Sequence, residues 1–310
     1  MDVAISGASG LIGGALARAL ERDGHRVARL VRPQTRTRAG DAIRWDPTAR
    51  TIEAEGLEGV DALVHLAGVG IGDKRWTQAH KRDILRSRIE GTTLLASTLA
   101  GLQRPPSVFV SGSATGFYGD GGDRDLTETS PSGIGFRADV VQAWEAATQG
   151  AAGAGIRTVL LRTANVLTPD GGLLPILLIP FKLGLGARFG SGRQWFPWIT
   201  LDDEVAIIRF AIDAAGLEGP VNAAAPHAVT NASFTKTLGR VLHRPAPWWA
   251  PAPVLGLIAG SERAREALLS SAKVVPEALT EAGFAFDDPK LEPALHRILA
   301  SGAPSAPAPS

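Results

Sequence analysis

The 310-residue chain contains no cysteine, which excludes disulfides, thiolate nucleophiles and thiolate metal sites. Its six histidines, His25, His65, His80, His227, His243 and His296, are scattered without ligand spacing, so no metal site is expected. His65, at the end of an apolar run, reads as a hydrogen-bonded core histidine. There is no Gly-Lys dipeptide for a nucleoside-triphosphate loop and no Gly-x-Ser-x-Gly elbow for a hydrolase. Tyrosine occurs once, at position 118. The formal net charge of +1 points to neither a nucleic acid nor a membrane surface as partner. No apolar run is long enough to span a bilayer, since Leu173 to Phe181 is short and carries Pro175 and Pro180. Val3 to Ser6 already reads as a strand, which argues against a signal peptide and makes the cytoplasm the simplest location. Residues 301–310 hold only Ser, Gly, Ala and Pro, the composition of a disordered tail.

What is present is an alternation of strand and helix patterns. Val3–Ser6 and Val27–Val31 read as strands flanking a helix that starts at Leu11 and stops near Gly24. Val60–Ala67 and Ser107–Ser111 read as strands around a helix over Thr77–Leu99. A helix over Asp139–Ala152 and a strand over Thr158–Leu161 follow. This order predicts a parallel sheet covered on both faces over residues 1–165. Beyond it, Gly, Pro and Trp become frequent, and helices are expected at Asp202–Ala214 and Asn231–Leu242. Residues 166–300 therefore read as a smaller lobe closing a cleft, with 199–219 packing back on the first domain.

The strongest motif is Gly7-Ala8-Ser9-Gly10-Leu11-Ile12-Gly13 between the first strand and first helix. Glycine is needed where backbone turns tightly and approaches a pyrophosphate, while a helix N-terminus offers free N–H groups and a positive dipole end. A dinucleotide is implied, with Gly7, Ser9, Gly10, Leu11, Ile12 and Gly13 as contacts. Readers of an unphosphorylated ribose usually carry an acid at the end of the second strand. Here that place holds Arg32, and Gly24 to Gly40 contains no acid but five arginines, Arg26, Arg29, Arg32, Arg36 and Arg38. Guanidinium forks suit a 2′-phosphate, so NADP(H) is the expected cofactor; the other reading is a solvated basic loop.

With further markers, the chain resembles the extended short-chain dehydrogenase/reductase superfamily, and within it the atypical, epimerase-like NAD-dependent epimerase/dehydratase family with an extra C-terminal domain. These markers include Trp45-Asp46-Pro47, His65-Leu66-Ala67-Gly68, Arg75-Trp76-Thr77, Ser111 to Gly119, Trp144-Glu145 and Gly190 to Trp195. The resemblance implies an α/β fold: a doubly wound parallel (Rossmann) sheet with a smaller α+β C-terminal lobe. It implies cofactor contacts at Leu66, Ala67 and Gly68 and, on the next helix, at Asp83 and Arg88. Arg162 is a further candidate. Asp83 and Arg88 read equally well as surface helix charges.

Members of the superfamily use a Ser/Thr with a Tyr-x-x-x-Lys pair, in which Lys lowers the Tyr pKa for proton exchange. Aligning on Trp144-Glu145 places Arg137 and Val141 at those two positions, so the pair is missing. Ser113 matches the Ser/Thr position and Tyr118 follows in the same loop; both are candidate catalytic residues. The alternatives are a hydroxyl satisfying loop backbone and a packed loop aromatic. Arg193, Gln194, Trp195 and Trp198 form a candidate substrate cluster, or else a lobe-packing loop. The expected function is an NADP(H)-dependent oxidoreductase or epimerase-like enzyme for a small molecule, as a monomer or homodimer. The alternative is a non-catalytic NADP(H)-binding sensor or regulator, in line with relatives described as cell-division inhibitors.

Overall fold

A computed structural model describes residues 1–36, 42–72 and 74–301; Arg38 and the segment 302–310 lie outside the described residues. The sheet is built from β1 (Asp2–Ser6), β2 (Arg26–Val31), β3 (Ala42–Asp46), β4 (Thr51–Ile52), β5 (Ala62–His65), β6 (Val108–Ala114), β7 (Arg157–Thr163) and β8 (Gly219–Ala223). Their spatial order is β8-β7-β6-β5-β1-β2-β3-β4. All neighbours are parallel except β3 and β4. The chain runs outward from β1 through β2 and β3, then returns to place β5 on the other side of β1. That reversal leaves a crevice at the carboxyl ends of β1 and β5, where doubly wound sheets bind ligands.

Helices cover both faces: α1 (Leu11–Arg22), α2 (Gln78–Ala100), α3 (Phe136–Ala146), α4 (Leu173–Lys182), α5 (Leu201–Asp213), α6 (Asn231–Val241), α7 (Ala252–Ala259) and α8 (Leu291–Ser301). The strands are apolar without alternation because both of their faces are covered. Val3 and Ile5 enter one core cluster with Leu16, Leu20 and Val110, while Ala4 enters another with Leu63, Leu95 and Phe109. Several helix starts follow side-chain caps. Thr77 accepts from the His80 amide, Thr200 from Asp203 and Thr230 from Ser233.

Two details depart from the sequence reading. The helix expected over Asp139–Ala152 is two helices, α3 and a short one at Gln149–Gly153, with Ala147 closing the first. Thr148, between them, turns its hydroxyl onto the Glu145 carbonyl at 2.7 Å. The sheet also does not stop at β7. β8, from the second half of the chain, extends it in register, with Asn222 opposite Arg162. α5 packs against α1 and leads into β8. Among the described residues, no helix is long and apolar enough to cross a membrane.

Candidate functional site

The loop after β1 is shaped by its glycines. Gly7 has φ +75°, and a Cβ there would lie 2.8 Å from the Ala67 amide nitrogen. A Cβ on Gly13 would stand 2.3 Å from the Gly7 carbonyl oxygen, so any side chain at 13 would force helix and loop apart. Gly10 donates its N–H to Gly7 O at 2.9 Å, which closes the turn. It also forms the N-cap of α1, with no side-chain cap and no acid in the first turn. The first-turn amides, Leu11 and Ile12 among them, thus keep their anion-binding capacity, at the positive end of the helix dipole.

This loop opens on a cavity of about 470 Å³ lined by Gly7, Ala8, Ser9, Arg29, Arg32 and Trp45, among others. Ala67 lines it from the far side. The Ala67 amide approaches Ser6 Oγ at 3.4 Å, and Leu66 donates to Ser6 O at 3.1 Å, which fixes the loop after β5 beside the glycines. Among the described residues, no carboxylate lines the cavity. Arg32 lies over the Trp45 ring at 5.6 Å and reaches Asp46 at 3.3 Å, so its guanidinium is held at the rim yet remains half exposed.

Arg32 also borders a second cavity of about 380 Å³, shared with Asp83, His80, Ser87 and Lys74. Asp83 therefore stands beyond Arg32 from the glycine loop. Arg88 turns inward, donating to the Val69 carbonyl at 2.9 Å and lying 4.9 Å over Trp144. It borders the α-carbon of Gly68. Burial lowers its pKa to about 10.

At the carboxyl end of β6 the structure brings Ser113, Tyr118 and Arg162 into one buried network. Arg162 grips Glu145 of α3 with both edges, Nε to Oε1 at 2.8 Å and Nη2 to Oε2 at 2.9 Å. Ser113 donates to the same Oε1 at 2.6 Å. Arg162 Nη1 donates to the Tyr118 hydroxyl at 2.9 Å, and that hydroxyl donates to Asn222 Oδ1 at 2.7 Å. Asn222 in turn donates to the carbonyls of Leu126 and Val275. The Arg162 guanidinium also lies 3.5 Å from the Phe117 ring centroid. Its bonds to Glu145, Tyr118 and the Glu128 carbonyl thus direct the guanidinium into the protein. Burial raises the Tyr118 pKa against the opposing pull of Arg162, so the phenol stays protonated.

His65 is a core residue, as its sequence context suggests. It is fully buried between Ser6 Oγ at 2.5 Å and Thr92 Oγ1 at 3.1 Å. Burial and the nearby Arg88 charge push its pKa down to about 3, which keeps it neutral.

The cluster at 193–198 does not form one wall. Arg193 is exposed, while Gln194 donates to the carbonyls of Phe189 and Leu268. Trp195 donates to Asp123 at 3.0 Å and carries Lys273 over its ring. Trp198 is 1% exposed and packs in the core. These contacts pack the second lobe on itself and, through Asp123, on the first domain, more than they present a common face.

Several residues that shape the site went unassigned in the sequence. Glu145 was visible only as half of a family marker, and Asn222 needed β8 to be placed beside β7. Arg137 has its Nη1 on the Glu266 carbonyl at 2.7 Å. The Glu266 carboxylate accepts from the backbone amides of Phe136 and Arg137, and so caps α3 from 130 residues away. A cavity of about 300 Å³ lies here, and one of about 480 Å³ beside it is lined by Tyr118, Arg124 and Ser130. Asp120 and Ile134 border both.

The comparisons with known proteins agree with this architecture. The sequence model of the NAD dependent epimerase/dehydratase family matches residues 3–224, and that of a domain of unknown function, DUF1731, matches residues 250–298. An epimerase family protein of Mycobacterium bovis is 42% identical over 92% of this chain and 93% of its own length. The crystal structure of the human epimerase family protein SDR39U1 (isoform 2) with NADPH superposes with a TM-score of 0.87 at 34% identity, covering 97% of this chain and 99% of that one. A nucleoside-diphosphate sugar epimerase from Corynebacterium glutamicum is similar at 36% identity and a TM-score of 0.80, over 97% of this chain and 58% of that one. With the glycine cradle, the strand order and these matches together, the chain belongs to the NAD dependent epimerase/dehydratase family.

Proposed function

We propose that this chain is an NADP(H)-dependent oxidoreductase or epimerase-like enzyme acting on a small molecule without a Tyr-x-x-x-Lys pair. One observation carries the cofactor half of this reading: a 470 Å³ cavity lined by the glycine loop together with Arg29 and Arg32, with no acid in its lining among the described residues. The glycine positions fit a bound pyrophosphate, because a Cβ at Gly7 or Gly13 would fill the approach. Arg32 and Arg29 would take the 2′-phosphate, and Leu66, Ala67 and Gly68 would pass beside the adenine ribose. The human relative crystallised with NADPH supports the same choice. When bound, the cofactor supplies or accepts a hydride. The chain's own residues hold it against the carboxyl ends of β1, β5 and β6.

On the substrate side, the cavities of 480 and 300 Å³ beyond β6 leave room for a small molecule. Ser113 is the hydroxyl at the strand end, and its oxygen retains lone pairs after donating to Glu145. The protonated Tyr118 hydroxyl accepts from Arg162 and gives its one proton to Asn222, so it would serve a substrate as proton donor only by leaving that bond. Ser113→Ala and Tyr118→Phe should therefore lower turnover of a true substrate while NADPH binding persists.

The test of the cofactor assignment is a titration of NADPH and NADH against the wild type and Arg32→Ala. The wild type should prefer NADPH by about tenfold or more, and the variant should lose most of that preference. Equal affinities in the wild type would overturn it. A second reading, a non-catalytic NADP(H) sensor, is favoured by one observation: Ser113 and Tyr118 are buried and already paired within the protein. A substrate screen following NADPH absorbance separates the two.

A further inference from the structure

Of the eleven large apolar side chains that the described residues expose, nine fall in two stretches, 176–185 and 248–258. These stretches are neighbours in space. The strand Ala187–Phe189, which follows α4, pairs in parallel with Trp248–Ala250, which precedes α7. Trp248 Nε1 donates to the Gly184 carbonyl at 3.2 Å, and Arg244 Nε to the Lys182 carbonyl at 3.2 Å. On α4 and its exit turn, Ile176 and Ile179 are 66% exposed and Leu183 is 71% exposed. On α7, Leu257 is 77% and Ile258 70% exposed. On the strand that precedes α7, Trp248 and Trp249 are 57% and 59% exposed, one on each face. Summed over both faces of that strand and the two helices, the nine side chains expose on the order of 1,000 Å², against the ~300–600 Å² of a monomer's largest single apolar patch.

Within the two stretches of chain that carry this surface the charges are of one sign, and the next acid, Glu262 after α7, is held by Lys81 at 2.7 Å. Residues 171–200 contain Lys182, Arg188 and Arg193 and no acid; residues 232–261 contain Lys236, Arg240 and Arg244 and no acid. Of these six, only Arg240 is ion-paired to a carboxylate among the described residues, with Glu292. The overall charge of +1 hides this segregation, which is why composition alone spoke against a membrane surface.

We propose that this face docks on the surface of an anionic lipid bilayer. The combination fits that partner: apolar helices without acids, a tryptophan pair suited to the headgroup level, and basic side chains whose stems can lie on the apolar layer while their heads reach lipid phosphates. Each such cation near an anionic surface adds to the attraction, and the contributions accumulate. A second copy of the chain fits less well, because an isologous pairing would bring the same basic, acid-free stretches of two copies together. α4 and α7, of ten and eight residues, are far shorter than the ~20 residues a spanning helix needs, so the contact is one of lying on the bilayer.

The experiment is vesicle flotation of the full-length protein with phosphatidylcholine alone and with phosphatidylcholine containing phosphatidylserine, at low and high salt. Sedimentation equilibrium without lipid and NADPH binding by fluorescence are run alongside. The wild type should float with phosphatidylserine vesicles, about tenfold or more better than with phosphatidylcholine alone, and salt should weaken it. The double variant Leu257→Glu/Ile258→Glu should lose flotation while binding NADPH as before, which shows that it is folded. Lys182→Glu/Arg188→Glu should lose the lipid-charge preference. Absence of wild-type flotation, equal binding to both vesicles, or a wild-type dimer that the Leu257/Ile258 variant dissociates would each overturn the proposal, the last by assigning the face to a second copy.

Discussion

Replacing Glu204 by glutamine should make the protein more stable at neutral pH, and by an amount that grows with pH. Glu204 sits in the first turn of α5, fully buried. Thr163 Oγ1 donates to its Oε1 at 2.7 Å, while Oε2 has no hydrogen-bond partner among the described residues. Burial pushes its pKa up from 4.5 to about 8, with the Thr163 hydrogen bond pulling the other way. The folded chain thus holds a proton that the unfolded chain releases above pH 4.5. A raised carboxyl pKa means that the folded state binds more protons, so stability falls as pH rises from about 4.5 to about 8. Between pH 4.5 and 7 that linkage amounts to roughly 3 kcal/mol. Glutamine keeps the carbonyl that accepts from Thr163 and fills the same volume, but carries no proton to lose. Urea unfolding of both proteins at pH 5 and pH 7.5 is the assay. The variant's advantage should be small at pH 5 and reach a few kcal/mol at pH 7.5. Stability curves that stay parallel across this range would refute the reasoning.

Other outcomes follow from the same geometry. Gly13→Ala should abolish cofactor binding, measured by NADPH fluorescence, because its methyl would meet the Gly7 carbonyl at 2.3 Å. Glu145→Ala should cost about 3–5 kcal/mol in chemical denaturation, since it leaves the buried Arg162 without its carboxylate. Glu266→Ala should cost about 0.5–2 kcal/mol by removing the cap of α3. On the acid side, His65 stays neutral when folded down to about pH 3, whereas the unfolded imidazole takes a proton below 6.5. Stability should therefore fall as pH drops from 6.5 towards 3, and His65→Gln should flatten that limb in a thermal-melt series.

The cofactor end of the site was legible because its physics is local. A tight turn, a helix start and a strand end lie within thirty residues, and glycine and arginine declare their roles at those places. The catalytic end was not legible in the same way. Ser113 and Tyr118 stood out by residue type, yet their partners Glu145, Arg162 and Asn222 come from three further elements. The bonds among them decide what the hydroxyls are free to do. The tryptophan-rich segment shows the same limit. Trp195 and Trp198 look alike in sequence, but one meets Asp123 near the surface and the other is enclosed in the core. The single break in the helix over 136–153 was missed because Ala147 and Thr148 carry no strong stop signal; the Thr148 hydroxyl turns back on the carbonyl of Glu145.

The outermost parallel strand also bears on how the polypeptide is made. β7 ends at Thr163 and gains its outer neighbour only when Gly219–Ala223 arrives. At ordinary elongation rates of about 5–20 residues per second, that interval lasts about 3–11 s. During it, an edge carrying Val159 and Leu161 has emerged without its partner. Synthesis of this protein therefore includes a window of seconds in which a ribosome-bound chain can pair with the wrong strand, and nascent-chain chaperones would have their largest effect between those two points.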